Sequence, residues 1–208
     1  MELYNTIVAF FQDGGLFMFP ILLVLAIGLA IALERWVYLE RSMSSNQRDW
    51  KRLAPIVTDG RFDAAMAATA HADSAISQIL NSGLERHRSS GQREDIEMAM
   101  EERMMEALPQ FERRTHYLAT FANIATLLGL LGTIIGLIRA FTAISNVDPA
   151  QKADLLSASI SVAMNTTAFG LMVAIPLLLI HSFLQARTTE IIDSLEMAAV
   201  RFLNLVTR

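Results

Sequence analysis

The stretch ISVAMNTTAFGLMVAIPLLLI, residues 160–180, is apolar enough to lie inside a bilayer, yet it holds three adjacent polar residues. These are Asn165, Thr166 and Thr167, and on a helix they spread over roughly 200°. They therefore cannot all face one neighbour. A threonine can hydrogen bond to its own i−4 carbonyl, but an asparagine at this depth is expected to face protein or a water-filled cavity.

Two further stretches, beginning near Leu16 and Tyr117, are comparably long and apolar. Roughly 20 apolar residues in a helix cross the hydrocarbon of a bilayer. The first stretch does not have a signal peptide's basic start, because residues 1–13 contain Glu2 and Asp13 but no Lys or Arg. The sequence therefore predicts three retained transmembrane helices in an all-α integral membrane protein.

The placement of Lys and Arg predicts the orientation, because these residues favour the cytoplasmic side. They follow the first and third apolar stretches and precede the second, whereas the opposite side holds only Arg139 and Lys152. We expect a multi-pass protein of a bacterial inner membrane, with its N-terminus in the periplasm and its C-terminus in the cytoplasm. The predicted segments are a periplasmic N-terminal segment (1–13), the first transmembrane helix (14–36), a cytoplasmic helical domain (37–115), the second transmembrane helix (116–145), a periplasmic turn (146–154), the third transmembrane helix (155–186) and a cytoplasmic C-terminal helix (187–208).

Helix-forming residues dominate the cytoplasmic segment, so long helices are expected to extend out of the membrane. The stretch 93–124 contains no glycine and is predicted to run into the second span as one helix, with a kink at Pro109. One or two shorter helices are predicted between Gly60 and His87. An apolar stripe between Ile191 and Leu205 predicts that the third helix continues beyond the membrane.

Several function classes are disfavoured by composition. The chain has no cysteine, which excludes disulfides and thiolate sites, and its four histidines lack metal-ligand spacing. We therefore expect no metal and no cofactor. The net charge is −4 with scattered basic residues, which is not the pattern of a nucleic-acid partner. No nucleophile–base pair occurs at mid-depth, so no catalytic residue is predicted and the chain is not expected to be an enzyme.

Small residues mark the second span, ATLLGLLGTIIGLIRAF, residues 125–141. Thr126, Gly129, Thr133 and Gly136 share one helical face, and Gly132 with Gly136 forms a GxxxG step. One interpretation is a tight helix–helix seam, and another is that Thr133 lines a polar path. Neither this span nor the third carries an acid or base at mid-depth, so an ion carrier would have to come from a partner.

Two motifs, LLGLLGTIIGLIRAF (127–141) and TTAFGLMVAIPLLL (166–179), resemble the MotA/TolQ/ExbB proton-channel family, as does ALERWVYL (32–39). Three spans are similar to the TolQ and ExbB branch. The resemblance implies a homopentamer around a dimer of a single-span partner like ExbD or TolR, which carries a membrane aspartate. It also implies that the proton motive force drives envelope work such as TonB-dependent transport or Tol-Pal function, with a TonB- or TolA-like protein as a further candidate partner.

The resemblance also implies the site. Thr133 and Thr167 would face the partner's aspartate, while Asn165 and Thr166 would add polarity to the ion pathway or bond to a neighbouring subunit. The glycines predicted to pack the helices are Gly129, Gly132, Gly136 and Gly170. Val162 stands where many relatives have a glutamate, and Thr126 stands where a proline is common. A sodium-driven homologue and a non-conducting oligomeric scaffold therefore stay open beside proton transport.

Overall fold

The computed structural model describes residues 14–70, 72–144 and 148–206, and all regular structure in these ranges is helical. The helices are α1 (Met18–Thr58), α2 (Phe62–Thr69), α3 (Ala75–Ser89), α4 (Arg93–Glu112), α5 (Thr115–Ile144) and α6 (Pro149–Val206). The all-α class predicted from the sequence is confirmed. The predicted periplasmic segment, residues 1–13, lies outside the described residues, as do residues 145–147 near the predicted turn.

Three helical segments are long and apolar enough to cross a membrane, as predicted. They are Met18–Thr58, Arg93–Ile144 and Gln151–Val206. Only 22–33% of each apolar window is buried within the protein itself. The remaining apolar surface is therefore available to lipid or to other helices.

The chain divides into two compact units. The membrane unit contains Met1–Leu33 and Arg114–Ser182, and the extramembrane unit contains Glu34–Arg113 and Phe183–Arg208. Helices α1 and α6 each contribute to both units, whereas α5 belongs to the membrane unit alone. The predicted extension of the third span is confirmed, because α6 continues without interruption to Val206.

The extramembrane unit has an apolar core drawn from four helices. Its almost fully buried large side chains are Leu53, Ile76, Ile79, Leu80, Leu84, Ile96 and Phe202. At Gly83 of α3, a side chain would lie within 2.9 Å of both Met100 and Phe202, so the absence of one lets α4 and α6 approach. The hydroxyl of Ser74 caps α3 by accepting a hydrogen bond from the Ser77 backbone N–H at 3.3 Å.

The break between α4 and α5 differs from the sequence prediction. Pro109 lies inside α4, which ends at Glu112, and Arg114 takes a positive φ of 64°. A left-handed residue ends a helical hydrogen-bond ladder. The predicted single helix with a kink at Pro109 was therefore wrong, because the interruption falls at Arg113 and Arg114.

A buried arginine satisfies the carbonyl groups freed by this break. The guanidinium of Arg35, which is only 2% exposed, donates to the carbonyl oxygens of Gln110 and Phe111. The Thr188 hydroxyl also donates to the Phe111 carbonyl, at 3.4 Å. Helices α1 and α6 thus provide the cap that α4 cannot form for itself.

Candidate functional site: a threonine pair between α5 and α6

Helices α5 and α6 approach each other at backbone distance in the membrane unit. A Cβ atom at Gly129 would lie 3.2 Å from the Cα of Thr167 and 3.3 Å from the Cα of Gly170. A Cβ atom at Gly170 would lie 2.7 Å from the carbonyl oxygen of Ala125. The contact therefore leaves no room for a side chain at either glycine.

The other two glycines predicted to pack the helices lie along the same contact. A Cβ atom at Gly132 would lie 2.5 Å from the Thr166 methyl group, and one at Gly136 would lie 3.0 Å from the Cβ of Ala163. Small residues at such positions let membrane helices pack by close van der Waals contact. The structure thus brings all four glycines into the α5–α6 contact.

Two hydroxyl groups meet across this contact, because Thr133 and Thr167 are hydrogen bonded to each other. Thr133 is also within reach of the carbonyl oxygens of Gly129 at 3.2 Å and Ala163 at 3.3 Å. Thr167 reaches the same Gly129 oxygen at 3.0 Å. Each hydroxyl has one proton to donate, so the pair has more acceptors than protons. Its hydrogen-bond pattern can therefore change by rotation of the O–H groups alone.

This threonine pair lies in a neutral environment. Residues 118–138 and 155–180 contain no Asp, Glu, Lys, Arg or His. Thr133 and Thr167 are half-buried, so each keeps a side facing away from the contact. A hydroxyl can donate to a carboxylate or accept from a protonated carboxyl, and it avoids the free-energy cost of a permanent buried charge.

Thr166 faces a different neighbour from the threonine pair. It is 2% exposed, and its hydroxyl donates towards the carbonyl oxygens of Gly14 at 2.6 Å and Val162 at 3.0 Å. Its contacts favour a packing role over the pathway role predicted from the sequence. The part played by Gly14 was missed, because the acceptor is a backbone carbonyl that no side-chain pattern reveals.

The segment just before α1 packs over Val162, the position at which the family resemblance predicts a glutamate. A Cβ atom at Gly15 would lie 3.3 Å from a methyl group of Val162, and a Cβ atom at Gly132 would lie 3.2 Å from the Cβ of Phe17. Val162 and Thr166 are one helical turn apart and share a face. An uncharged residue at position 162 fits this covered position.

Asn165 differs from both neighbouring threonines. It is half-buried, and its side chain has no hydrogen-bond partner within residues 14–70, 72–144 and 148–206. One turn earlier, Ser161 is exposed, and Met164 is 64% exposed. The Asn165 amide is therefore available to a group outside this chain, as an asparagine inside a membrane requires.

The other candidate residues do not contribute to the site formed by the threonine pair. The Thr126 hydroxyl bonds only to the Ala122 carbonyl of its own helix, at 3.1 Å, although the sequence placed it on the face of Thr133. The described residues hold no group of three or more His, Cys, Asp or Glu that could bind a metal ion. The candidate site is therefore the threonine pair with its carbonyl acceptors.

Comparisons with known proteins place this site inside a recognised family region. Residues 71–197 match the model of the MotA/TolQ/ExbB proton channel family, a range that includes both threonines. The chain is 29% identical to an ExbB homologue of Methanothermobacter thermautotrophicus over 202 residues, which cover 95% of this chain and 69% of that protein.

Two other relatives show the same pattern. An ExbB-like protein of Synechocystis is 31% identical over 186 residues, covering 88% of this chain and 72% of its own. The Tol-Pal system protein TolQ of Haemophilus influenzae is 33% identical over 93 residues, which cover 45% of this chain and 40% of TolQ. Similarity to the ExbB type therefore extends over most of the chain, and similarity to TolQ over part of it.

Proposed function

Because the chain belongs to the MotA/TolQ/ExbB proton channel family, we propose that it is the channel subunit of a proton-driven machine in a bacterial inner membrane. Several copies, five on the family resemblance, surround a dimer of an ExbD/TolR-like single-span partner. That partner supplies a membrane aspartate as the proton carrier. The complex uses the proton motive force for work at the cell envelope, such as TonB-dependent transport or Tol-Pal function.

The observation that carries this proposal is the threonine pair in a hairpin without ionisable groups. A conducting membrane protein normally places an acid or base in the hydrocarbon. Residues 118–138 and 155–180 provide none, but they provide two hydroxyls with spare acceptors. Such a pair can hydrogen bond to a carboxyl group that belongs to another chain.

The hydrogen bonds of the pair suggest how it handles a carboxyl group in both protonation states. Next to a carboxylate, Thr133 or Thr167 turns its O–H outward and donates. Next to a protonated carboxyl, the pair accepts, and its own protons return to the carbonyl oxygens of Gly129 and Ala163. Burial alone would hold the carboxyl protonated, so a hydroxyl that donates only to the charged form helps the proton to leave.

The proposal includes the orientation of the chain in the membrane. It has the extramembrane unit and the C-terminus in the cytoplasm and the N-terminus in the periplasm, and the Lys and Arg distribution supports it. The α5–α6 turn then lies on the periplasmic side. Protons would enter from that side and pass the threonine pair on their way to the cytoplasm.

The test is proton uptake into liposomes that contain the chain with its co-purified partner, driven by a pH gradient in sodium-free buffer. We expect Thr167→Val to lower the flux by about tenfold, the equivalent of one lost hydrogen bond at the upper end of its usual strength. Thr167→Ser should keep most of the flux. Thr126→Val is the matched control, because that hydroxyl bonds only within its own helix.

The other readings give different results in the same assay. A complex that passes no protons under any gradient would contradict the proposal and favour a non-conducting scaffold. Flux that appears only after sodium is added would identify a sodium-driven homologue.

A further inference from the structure

The extramembrane unit carries two exposed charged stripes of opposite sign. The basic stripe on α1 consists of Arg41, Arg48, Lys51 and Arg52, and the acidic stripe on α4 consists of Glu94, Glu97, Met98, Glu101 and Met105; all of these side chains are exposed. Met98 is 67% exposed and Met105 is 61% exposed. Two exposed methionines flanked by glutamates form an apolar seam with a charged border.

The charges of both stripes lack partners within the chain. Among the described residues, none of the four basic and three acidic side chains forms an ion pair or a side-chain hydrogen bond. Some other exposed charges in this unit are paired, such as Arg187 with Glu190 at 2.9 Å. The stripes therefore present unsatisfied surfaces of opposite sign on different helices.

The two stripes extend over the same distances from one end of the unit. Arg35 and Phe111 are in contact at that end. Helix α6 passes Met43 of α1 at Arg187, and it passes Phe111 and Arg93 of α4 at Thr188 and Asn204, so α1 and α4 both lie along α6. At 1.5 Å per residue from the Arg35–Phe111 contact, the three arginines of the basic stripe lie about 9, 20 and 26 Å along α1. By the same count, Met105, Glu97 and Glu94 lie about 9, 21 and 26 Å along α4.

We infer that the acidic stripe of one copy docks on the basic stripe of the next copy, which joins the extramembrane units into a ring. The inference rests on the proposed assembly of several copies. Copies that share one orientation in a membrane are related by rotation about the membrane normal, so they meet at equal heights. A contact between two different surfaces of the same chain is head-to-tail and closes into a ring.

An anionic lipid surface suits the basic stripe less well. The attraction of a charged membrane falls off within a Debye length, about 8 Å at physiological salt. Arg48 and Arg52 lie about 20 and 26 Å along α1 from Arg35, well into the part of this helix that belongs to the extramembrane unit. A membrane would also leave the acidic stripe without a partner, whereas a second copy covers both.

Disulfide cross-linking tests the contact directly, because the chain has no native cysteine. Two differently tagged full-length chains, one with Arg48→Cys and one with Glu97→Cys, are co-expressed with the partner and oxidised in native membranes. We expect a cross-linked species that carries both tags. Arg48→Cys paired with Glu85→Cys is the matched control, because Glu85 is exposed on α3 and belongs to neither stripe.

Charge reversal provides a second measurement on the same surfaces. Arg48→Glu with Arg52→Glu should lower the cross-linking of a reporter pair, Ser44→Cys with Glu101→Cys, several-fold. Adding Glu94→Arg and Glu97→Arg should restore it. No rescue, or equal cross-linking by the Glu85 control, would overturn the inference.

The outcomes also separate this inference from the proposed function. Oligomers that conduct protons but never cross-link through the stripes would overturn the inference alone. Oligomers that cross-link but do not conduct would support the inference and contradict the channel. A chain that is monomeric in native membranes would contradict both. Absence of cross-linking through the stripes, together with anionic lipid that co-purifies with the chain and is lost in the Arg48→Glu, Arg52→Glu chain, would overturn the inference in favour of a lipid site.

Discussion

In the membrane unit, two half-buried threonine hydroxyls share backbone carbonyls across α5 and α6, whereas in the extramembrane unit a buried arginine binds the end of a helix. The threonine pair has spare acceptors and can change its hydrogen bonds by rotating an O–H group. Arg35 instead donates to two carbonyl oxygens that no helical N–H can reach. The first arrangement permits exchange, and the second fixes a position.

The two units also differ in how their helices pack. Glycines bring α5 and α6 together in the membrane unit, where a Cβ at Gly170 would lie 2.7 Å from a backbone oxygen. Large side chains such as Phe202 fill the extramembrane unit. A lipid-exposed unit gains little from apolar burial, so close backbone contact adds to the few buried large side chains there, such as Met18 and Leu177. Substitutions in the two units should therefore have different consequences.

The largest effect on stability should come from the extramembrane core. Phe202 is 0% exposed, and Phe202→Ala should lower the free energy of unfolding by about 3–5 kcal/mol, since it removes packing and leaves a cavity. Thermal unfolding of the purified chain, followed by circular dichroism, measures this. Met197→Ala, at a 53% exposed position on the same helix, should cost less than about 0.5 kcal/mol. Equal melting temperatures for the two variants would contradict a core centred on Phe202.

The arginine cap should have the next largest effect. Arg35→Met removes the donor to the Gln110 carbonyl and leaves the Phe111 carbonyl with only the Thr188 hydroxyl, which costs about 1–3 kcal/mol. Arg35→Lys should recover only part of this, because an ammonium group lacks the planar fork that reaches two acceptors. Hydrogen exchange of the last turn of α4 reports the loss locally. Unchanged exchange there in Arg35→Met would refute the cap.

The glycine contact should give a graded effect within the membrane unit. Gly170→Ala should cost about 1–3 kcal/mol, because the methyl group meets a backbone oxygen that can move only if the helices separate. Gly136→Ala should cost less, since its methyl group meets the Cβ of Ala163 at 3.0 Å. The measurement is the thermal stability of the oligomer in mild detergent. The opposite order of the two variants would argue against close backbone packing at Gly170.

The smallest effect should come from Thr166, which the contacts separate from the threonine pair. Thr166→Val removes the bond to the Gly14 carbonyl and should lower stability by about 0.5–1.5 kcal/mol. Proton flux through the reconstituted complex should stay near the wild-type value. A loss of flux as large as that of Thr167→Val would support the ion-pathway role that the sequence predicted for Thr166.

The three spans could be predicted from the sequence because a bilayer requires long uninterrupted apolar helices. The contact glycines could also be predicted, because small residues at helical spacing mark close packing. The resemblance assigned Thr133 and Thr167 to one site that faces a partner's aspartate. Their hydrogen bond to each other came from the structure alone, since spacing on one helix says nothing about the register of another.

The remaining features depend on backbone groups that are distant in sequence. Thr166 donates a hydrogen bond to the Gly14 carbonyl, and Arg35 donates one to the Phe111 carbonyl. Every residue has a backbone carbonyl, so the residue types do not indicate these acceptors. The break at Arg114 was missed because a positive φ is uncommon for a non-glycine residue. Pro109 was a misleading signal, since α4 continues past it.

A double-mutant cycle on proton flux tests directly whether Thr133 and Thr167 act as one hydroxyl pair. Flux is measured for Thr133→Val, Thr167→Val and the double variant in the complex with its partner, with the amount of assembled complex matched. We expect each single variant to lose most of the flux and the double variant to lose no more than the worse single one, because either change dismantles the pair. Losses that multiply, or a single variant with wild-type flux, would contradict it.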